Sequence, residues 1–226
     1  AKARSESLEA FSTPMPFSHN GRDEIVIVGG DCLTGHDPKT GKELWRWGTW
    51  NPSRIGHWRL VPSPVSGKGV LLACGPKGAP VFAIKAGAKG DVSEDKSSIA
   101  WHSEGRRDQV TSDVSTPLFY QGNFYVLYGE GRDKILSCVD PKSGKAKWAT
   151  DLESRSLFRG SPTGADGKLY VQNHAGTVHV IDAKSGKVLH KTNMGEPGDD
   201  QTRATIAVAH GNLFIRTNSR LYCIGS

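Results

Sequence analysis

The sequence predicts an all-β protein assembled from repeated four-stranded antiparallel units, and two observations support this prediction. A turn-and-strand segment recurs three times with little change, and a Ser/Thr-Pro step precedes an apolar strand four times. The prolines of these steps are Pro14, Pro64, Pro117 and Pro162, with spacings of 50, 53 and 45 residues. Spacings of this size are typical of one propeller blade. We therefore predict a β-propeller with about four full blades and a partial fifth.

The turn-and-strand segment explains how each unit reverses direction. It runs from Asp37 to Trp45 as Asp-Pro-Lys-Thr-Gly-Lys-Glu-Leu-Trp, and it returns at 140–148 and 182–190. The Asp can accept backbone N–H bonds and start the turn, and the Gly supplies the positive φ of the reversal. The tryptophan at the end of the outer strand is expected to fill the wedge between neighbouring blades. The repeat positions are Asp37, Gly41, Trp45, Trp101, Asp140, Gly144, Trp148, Asp182 and Gly186.

The blade boundaries follow from these repeats. We place the blades at residues 12–47, 58–101, 114–150, 158–191 and 204–226, after an N-terminal segment of residues 1–11. The second blade carries an insertion at 86–98, and the fifth unit shows three strands and no fourth. Residues 1–11 are either a strand that closes the ring or the remnant of a missing blade. If the chain is truncated, exposed end blades predict self-association.

Composition and charge limit the classes of partner. The chain has 27 glycines, 12 prolines and 36% hydrophobic residues, which suits short strands and tight turns. It contains no run of 18 apolar residues that would predict a transmembrane segment. The formal charge is +6, but many lysines lie in the repeated turns, so we expect no nucleic-acid partner. These turn lysines are Lys39, Lys42, Lys142, Lys145, Lys184 and Lys187.

The repeated Asp-x-Lys-[Thr/Ser]-Gly-Lys-x-x-Trp segment resembles the repeat of pyrroloquinoline-quinone-like (PQQ-like) β-propellers. The resemblance extends from about residue 12 to the end, and it implies the C-terminal part of a larger bacterial propeller that is secreted or periplasmic. The family includes quinoprotein alcohol dehydrogenases, a lipoprotein scaffold of outer-membrane assembly, and many propellers without known activity. Fold alone does not choose among them.

The residues that a quinoprotein dehydrogenase needs are not recognisable here. The resemblance implies a bound quinone, a calcium ion and a pair of adjacent cysteines, but Cys32, Cys74, Cys138 and Cys223 are far apart in sequence. His174 and His179 have no third ligand at a usual spacing, and the acidic loop at 196–200 lacks a calcium motif. We therefore expect no catalytic residue, no metal and no cofactor, with a PQQ- and calcium-dependent dehydrogenase as the alternative.

The segments that precede the Ser/Thr-Pro steps offer a candidate ligand site, because the innermost strands of a propeller begin at its central channel. Arginines from different blades could converge there on a carboxylate or phosphate. Alternatively, they brace the channel by pairing with Asp113 or with backbone carbonyls. The candidate residues are His57, Trp58, Arg59, Asp113, Arg159 and Arg203.

These observations favour a non-catalytic scaffold whose loops and channel mouth bind a protein partner or a small anionic ligand. The alternatives are a fragment of a quinoprotein dehydrogenase and a secreted carbohydrate-active enzyme. Three tryptophans outside the repeat, Trp47, Trp50 and Trp58, are expected on a surface that faces a ligand or partner.

Overall fold

The computed structural model describes residues 9–48, 60–75 and 77–225. Within these ranges the chain forms five sheets in sequence order, antiparallel except for one short parallel pair, with one short 3-10 helix at Lys96–Ser98. No helix of the described residues has the length and apolar character needed to cross a membrane. The prediction of an all-β propeller with four-stranded blades is confirmed.

The sheets are built from consecutive strands. The first contains β1 (Met15–His19), β2 (Arg22–Val28), β3 (Leu33–His36) and β4 (Glu43–Trp47). The second contains β5 (Val65–Gly67), β6 (Val70–Cys74), β7 (Val81–Lys85) and β9 (Ile99–His102), while β8 (Gly90–Asp91) pairs in parallel with β4. The third contains β10 (Leu118–Tyr120), β11 (Asn123–Tyr128), β12 (Ile135–Val139) and β13 (Ala146–Asp151). The fourth contains β14 (Thr163–Ala165), β15 (Lys168–Gln172), β16 (Thr177–Asp182) and β17 (Val188–Asn193), and the fifth contains β18 (Ala207–Ala209), β19 (Asn212–Arg216) and β20 (Leu221–Ile224).

Turn chemistry sets the hairpins within each sheet. The first two strands of every sheet are joined by a residue pair in which both members have positive φ and the second is glycine, as in a type I′ turn. The Asp of the recurring turn stabilises the hairpin between the third and fourth strands. Asp37 Oδ1 accepts from the backbone N–H groups of Lys39 at 2.9 Å and Thr40 at 2.7 Å. These bonds to the Thr40 backbone and hydroxyl lower the pKa of Asp37.

Hydroxyl groups link the starts of successive blades. The backbone N–H of the Ser or Thr in each of the four Ser/Thr-Pro steps donates to the hydroxyl of the equivalent residue in the next blade, at 2.9 to 3.0 Å. The series runs Thr13, Ser63, Thr116, Ser161 and Thr205. It fixes the register of the innermost strands, and neighbouring ones among β5, β10, β14 and β18 contact each other.

The apolar core lies between blades. Four clusters of buried side chains occupy the four junctions between consecutive sheets. Trp45 and Trp101 belong to the first two clusters and Trp148 packs against the third. An added Cβ at Gly144 would lie 2.5 Å from the Trp101 ring, and one at Gly186 would lie 2.6 Å from the Trp148 ring. Trp101 and Trp148 therefore pack against the turn of the following blade.

The two ends of the array differ from its interior. Residues Glu9–Phe11 run beside Leu60, and the Phe11 N–H donates to the Leu60 carbonyl at 2.6 Å. At the other end the fifth sheet is exposed, with the Leu221 side chain 69% accessible. The prediction of self-association is untested and stays a prediction. The insertion at 86–98 supplies β8, which extends the first sheet to five strands.

Candidate functional site

Several predicted site residues lie outside the described part of the chain, namely His57, Trp58, Arg59 and Trp50. The expectation that Trp47 faces a ligand or partner is wrong. Its side chain is only 4% exposed and packs on Phe82 with ring centroids 5.0 Å apart. Alternation along β4 places Trp47 on the same side as Trp45, so both rings enter the first junction.

The hydroxyl series shows which of the predicted residues are equivalent. Arg159 and Arg203 each lie two residues before the hydroxyl residue of their blade, Ser161 or Thr205. Asp113 lies three residues before Thr116 and therefore occupies a different position. Its carboxylate accepts from the Lys77 backbone N–H at 2.6 Å. Only the two arginines are thus a repeated feature of consecutive blades.

The two arginines lie on either side of a buried histidine segment. The His174 N–H donates to the Leu157 carbonyl at 2.8 Å, and the His174 carbonyl accepts from the Thr202 N–H at 3.0 Å. These bonds hold His174 between the residues that precede Arg159 and Arg203. Burial lowers the pKa of His174, and the positive charges of both arginines lower it further. Its Nε2 is buried without a hydrogen-bond partner among the described residues.

Arg159 has a carboxylate partner. Its Nε donates to Glu130 Oε1 at 2.8 Å, in the loop between β11 and β12. Both side chains are partly exposed, so the pair braces neighbouring blades while part of the guanidinium remains accessible. For Arg159 the carboxylate partner is therefore Glu130 and not Asp113, whereas Arg59 lies outside the described residues.

Arg203 lines a polar pocket of about 360 Å³ in the last blade. The pocket has a second guanidinium, that of Arg216 at the end of β19, which the sequence analysis did not predict. Two buried threonines of this pocket are tied to the fold, because Thr202 Oγ1 donates to Asn218 and Thr217 Oγ1 accepts from the Arg220 N–H. The lining residues are Gln201, Thr202, Arg203, Ala204, Arg216, Thr217 and Asn218.

A second cavity, which sequence reasoning also missed, lies on the face of the third sheet that meets the second. Its volume is about 540 Å³. The Arg106 guanidinium lies over the Tyr128 ring, 5.2 Å from the centroid. Burial raises the pKa of Tyr128, and the charge of Arg106 opposes that rise. The lining residues are Arg106, Gln109, Thr111, Tyr128, Gly131, Arg132, Asp133, Ile135, Ala149 and Asp151.

The expectation of no metal and no cofactor stays a prediction. Within 9–48, 60–75 and 77–225, no three His, Cys, Asp or Glu side chains are grouped to hold a metal ion. In the acidic loop, Asp199 accepts from the Glu196 N–H at 2.8 Å, and Glu196 pairs with Arg220 at 3.2 Å. Burial raises the pKa of Cys74 to about 12, so this thiol is protonated.

Comparison with known families identifies one family over most of the chain. The family model of the outer membrane protein assembly factor BamB matches residues 29–224. No curated protein matches the sequence significantly.

Solved structures show the same fold at low sequence identity. The crystal structure of BamB from Moraxella catarrhalis is 11% identical with a TM-score of 0.57, over 84% of this chain and 54% of that protein. Quinohemoprotein alcohol dehydrogenase from Comamonas testosteroni is 14% identical with a TM-score of 0.69, over 96% of this chain and 41% of that enzyme. Sqt1 from Saccharomyces cerevisiae is 11% identical with a TM-score of 0.68, over 96% of this chain and 60% of that protein.

At these identities the structural likeness shows the fold alone. The chain spans about half the length of the BamB structure and less than half that of the dehydrogenase. The family match covers far more than half of the chain, and it agrees with the repeat and with the sheet topology. The chain therefore belongs to the PQQ-like β-propeller family of the outer membrane protein assembly factor BamB.

Proposed function

We propose that this chain is a non-catalytic binding scaffold that holds an acidic segment of a protein partner at Arg203, Arg216 and Arg159. The observation that carries this proposal is the pocket of about 360 Å³ in which Arg203 and Arg216 stand together among hydroxyl and amide groups. Guanidinium groups bind carboxylates through paired, charge-assisted hydrogen bonds.

The surroundings of the pocket support an anionic ligand. His174 has a lowered pKa and is therefore neutral at pH 7, so Arg159 and Arg203 carry the positive charge of this region. The pocket of Arg203 and Arg216 contains no carboxylate among its lining residues. An incoming carboxylate thus meets donors and positive charge in this pocket without a competing acid, whereas at Arg159 it would share the guanidinium with Glu130.

The family match supports a protein as the source of that carboxylate, since its name is that of an assembly factor. It also supports an exported protein of the bacterial cell envelope, periplasmic or outer-membrane-associated. Both statements are part of the proposal. The quinoprotein alternative predicts tight binding of pyrroloquinoline quinone in the presence of calcium, and the carbohydrate-active alternative predicts turnover of a glycoside.

Calorimetric titration with an oligoglutamate peptide tests the proposal. We expect Arg203→Gln and Arg216→Gln each to weaken binding about tenfold or more, because losing a hydrogen bond to a charged group costs about 1.5–3 kcal/mol. Arg107→Gln is the matched control, since it removes the same charge from an exposed loop residue that does not line the pocket.

Each other outcome has a definite meaning. Equal weakening in the control variant would show nonspecific charge attraction and reject the site. Citrate binding as tightly as the peptide, with the same dependence on Arg203 and Arg216, would replace the protein partner with a small anion. Calcium-dependent binding of pyrroloquinoline quinone would reject the scaffold function in favour of the dehydrogenase.

A further inference from the structure

The cavity beside Tyr128 exists because one pair of side chains is unusually small. The strand register shows which residues of the second, third and fourth sheets occupy equivalent positions. The alignment starts at the first strand residue after each Ser/Thr-Pro step. The cross-strand pair on the face toward the preceding blade is Phe82–His102 in the second sheet and His179–Lys191 in the fourth. In the third sheet the same pair is Ser137–Ala149.

The larger pairs fill their junctions. Phe82 packs on Trp47, with ring centroids 5.0 Å apart. His179 meets the edge of Phe158 at 5.2 Å, and Lys191 Nζ donates to the Leu152 carbonyl at 2.9 Å. The space that remains beside His179 and Lys191 is about 250 Å³, whereas the space beside Ala149 is about 540 Å³. The larger cavity is within the size range of small-molecule sites.

The loop that forms the rim of this cavity is held in a fixed conformation. Ser137 Oγ donates to the Gln109 carbonyl at 2.7 Å, so the small serine serves as an anchor for the loop. Gln109 has a φ of 62°, a left-handed conformation that is costly for a residue other than glycine. Asp108 fixes the same loop by accepting from the Glu104 and Val110 N–H groups at 2.8 and 3.2 Å. Such strain is concentrated at functional sites, and here it shapes the cavity wall.

The lining chemistry points to a neutral polar ligand. Arg106 and Arg132 supply donors, and Asp133 and Asp151 supply acceptors, so the charges of the wall balance. An anion would meet the two carboxylates and a cation would meet the two guanidinium groups. Vicinal hydroxyl groups both donate and accept, so they match this wall without a buried net charge. Tyr128 also lines the cavity, with the Arg106 guanidinium lying over its ring.

We propose that this cavity between the second and third blades binds a neutral saccharide of one or two sugar units. The site is separate from the pocket of Arg203 and Arg216, and the proposal does not depend on the function proposed for that pocket. Saccharide binding here is a recognition event and requires no catalytic step.

Ala149→Lys is the decisive variant, because it installs the side chain that stands at the equivalent position of the fourth sheet. Ala146→Lys is the matched control: it places the same charge on the same strand at an exposed residue that does not line the cavity. The probe is a mixture of glucose, N-acetylglucosamine, maltose and trehalose, observed by saturation-transfer NMR with the full chain. Binding constants for the sugars that respond follow from titration calorimetry.

We expect at least one sugar to receive saturation from the unchanged protein. We expect Ala149→Lys to bind that sugar at least tenfold more weakly, and Ala146→Lys to bind it as tightly as the unchanged protein. Thermal unfolding of both variants shows that they remain folded. The proposal is overturned if none of the sugars responds at millimolar concentration, or if Ala149→Lys binds as well as the control. It is also overturned if free amino acids bind in place of the sugars with the same dependence on Ala149.

Discussion

At the scale of single residues, burial decides the charge state of His174 and His179. The His179 side chain is 2% exposed, and burial is the main cause that lowers its pKa to about 4, with the charge of Lys191 as a second cause. Burial likewise lowers the pKa of His174. Both side chains are therefore neutral at pH 7, and the positive charge beside them belongs to arginine and lysine.

The pKa of His179 predicts a pH dependence of stability. The unfolded chain takes up a proton at this residue below about pH 6.5, while the folded chain resists protonation until about pH 4. Protonation thus favours the unfolded state, and the contribution to stability is complete above pH 6.5 and is lost as the pH falls toward 4. The full effect is about 3 kcal/mol, since each pKa unit corresponds to about 1.4 kcal/mol.

Thermal unfolding at pH 7 and pH 4.5 measures this effect. The midpoint of the unchanged protein should fall more between these pH values than that of His179→Gln, whose side chain does not titrate. Other groups titrate alike in both proteins and cancel in the comparison. An NMR titration of the His179 ring gives the pKa directly, and a value near 6.5 would contradict the prediction even if the variant were unstable.

At the scale of elements, the recurring turn does two tasks. Its Asp satisfies backbone N–H groups within its own hairpin, and its Gly lies under the tryptophan of the preceding blade. Gly144 has a φ of 72° and Gly186 a φ of 75°, so each position needs glycine both for its backbone and for the ring above it. A local turn motif therefore also carries part of the inter-blade packing.

Gly144→Ala separates these two tasks when it is compared with Gly41→Ala. Gly41 has a φ of 71°, but an added Cβ would have nothing within 4 Å. Both variants should lose about 1 kcal/mol through the backbone. Gly144→Ala should lose about 1–3 kcal/mol more, because the Trp101 ring must move. Urea unfolding midpoints measure both losses, and equal losses would show that the ring relaxes without cost.

At the scale of the whole molecule, the hydroxyl series and the tryptophan contacts join neighbouring blades in different ways. The hydroxyl bonds fix the innermost strands, and the tryptophan rings fill the outer part of the junctions. Each blade contacts its neighbours in sequence, so stability is expected to depend on the junctions as well as on the individual sheets. The exposed fifth sheet presents a junction face without a following blade among the described residues.

Thr116→Val tests the hydroxyl series at its centre. The Thr116 hydroxyl accepts from the Ser63 N–H at 3.0 Å, and valine keeps the shape but leaves that donor without a partner. We expect a loss of about 1–3 kcal/mol in the free energy of unfolding. Thr116→Ser retains the hydroxyl and should lose much less. If the valine variant lost no more than the serine variant, the Thr116 hydroxyl would contribute no more than its methyl group, and the prediction would be contradicted.

The candidate site was predictable only in part. Arg159 and Arg203 could be found because each precedes a recognisable Ser/Thr step. Arg216 could not, because the signal around it is that of an ordinary apolar strand. The cavity beside Ala149 forms because the side chains of one cross-strand pair are small where two blades meet. A single sequence does not show which side chains face each other across that junction. Trp47 was misassigned because its position outside the repeat did not reveal that Phe82 of the next blade covers it.

The repeated unit follows from the amino-acid sequence alone, since Asp, Gly and Pro act on the backbone within a few residues and apolar alternation acts within one strand. These local effects are enough to specify five successive antiparallel sheets and the position of each turn. The contacts between blades are visible only in the folded chain. There His174 lies between two arginines, Glu130 pairs with Arg159, and the small side chains of Ser137 and Ala149 leave a cavity. Such contacts join residues tens of positions apart, and their geometry depends on how neighbouring sheets are stacked.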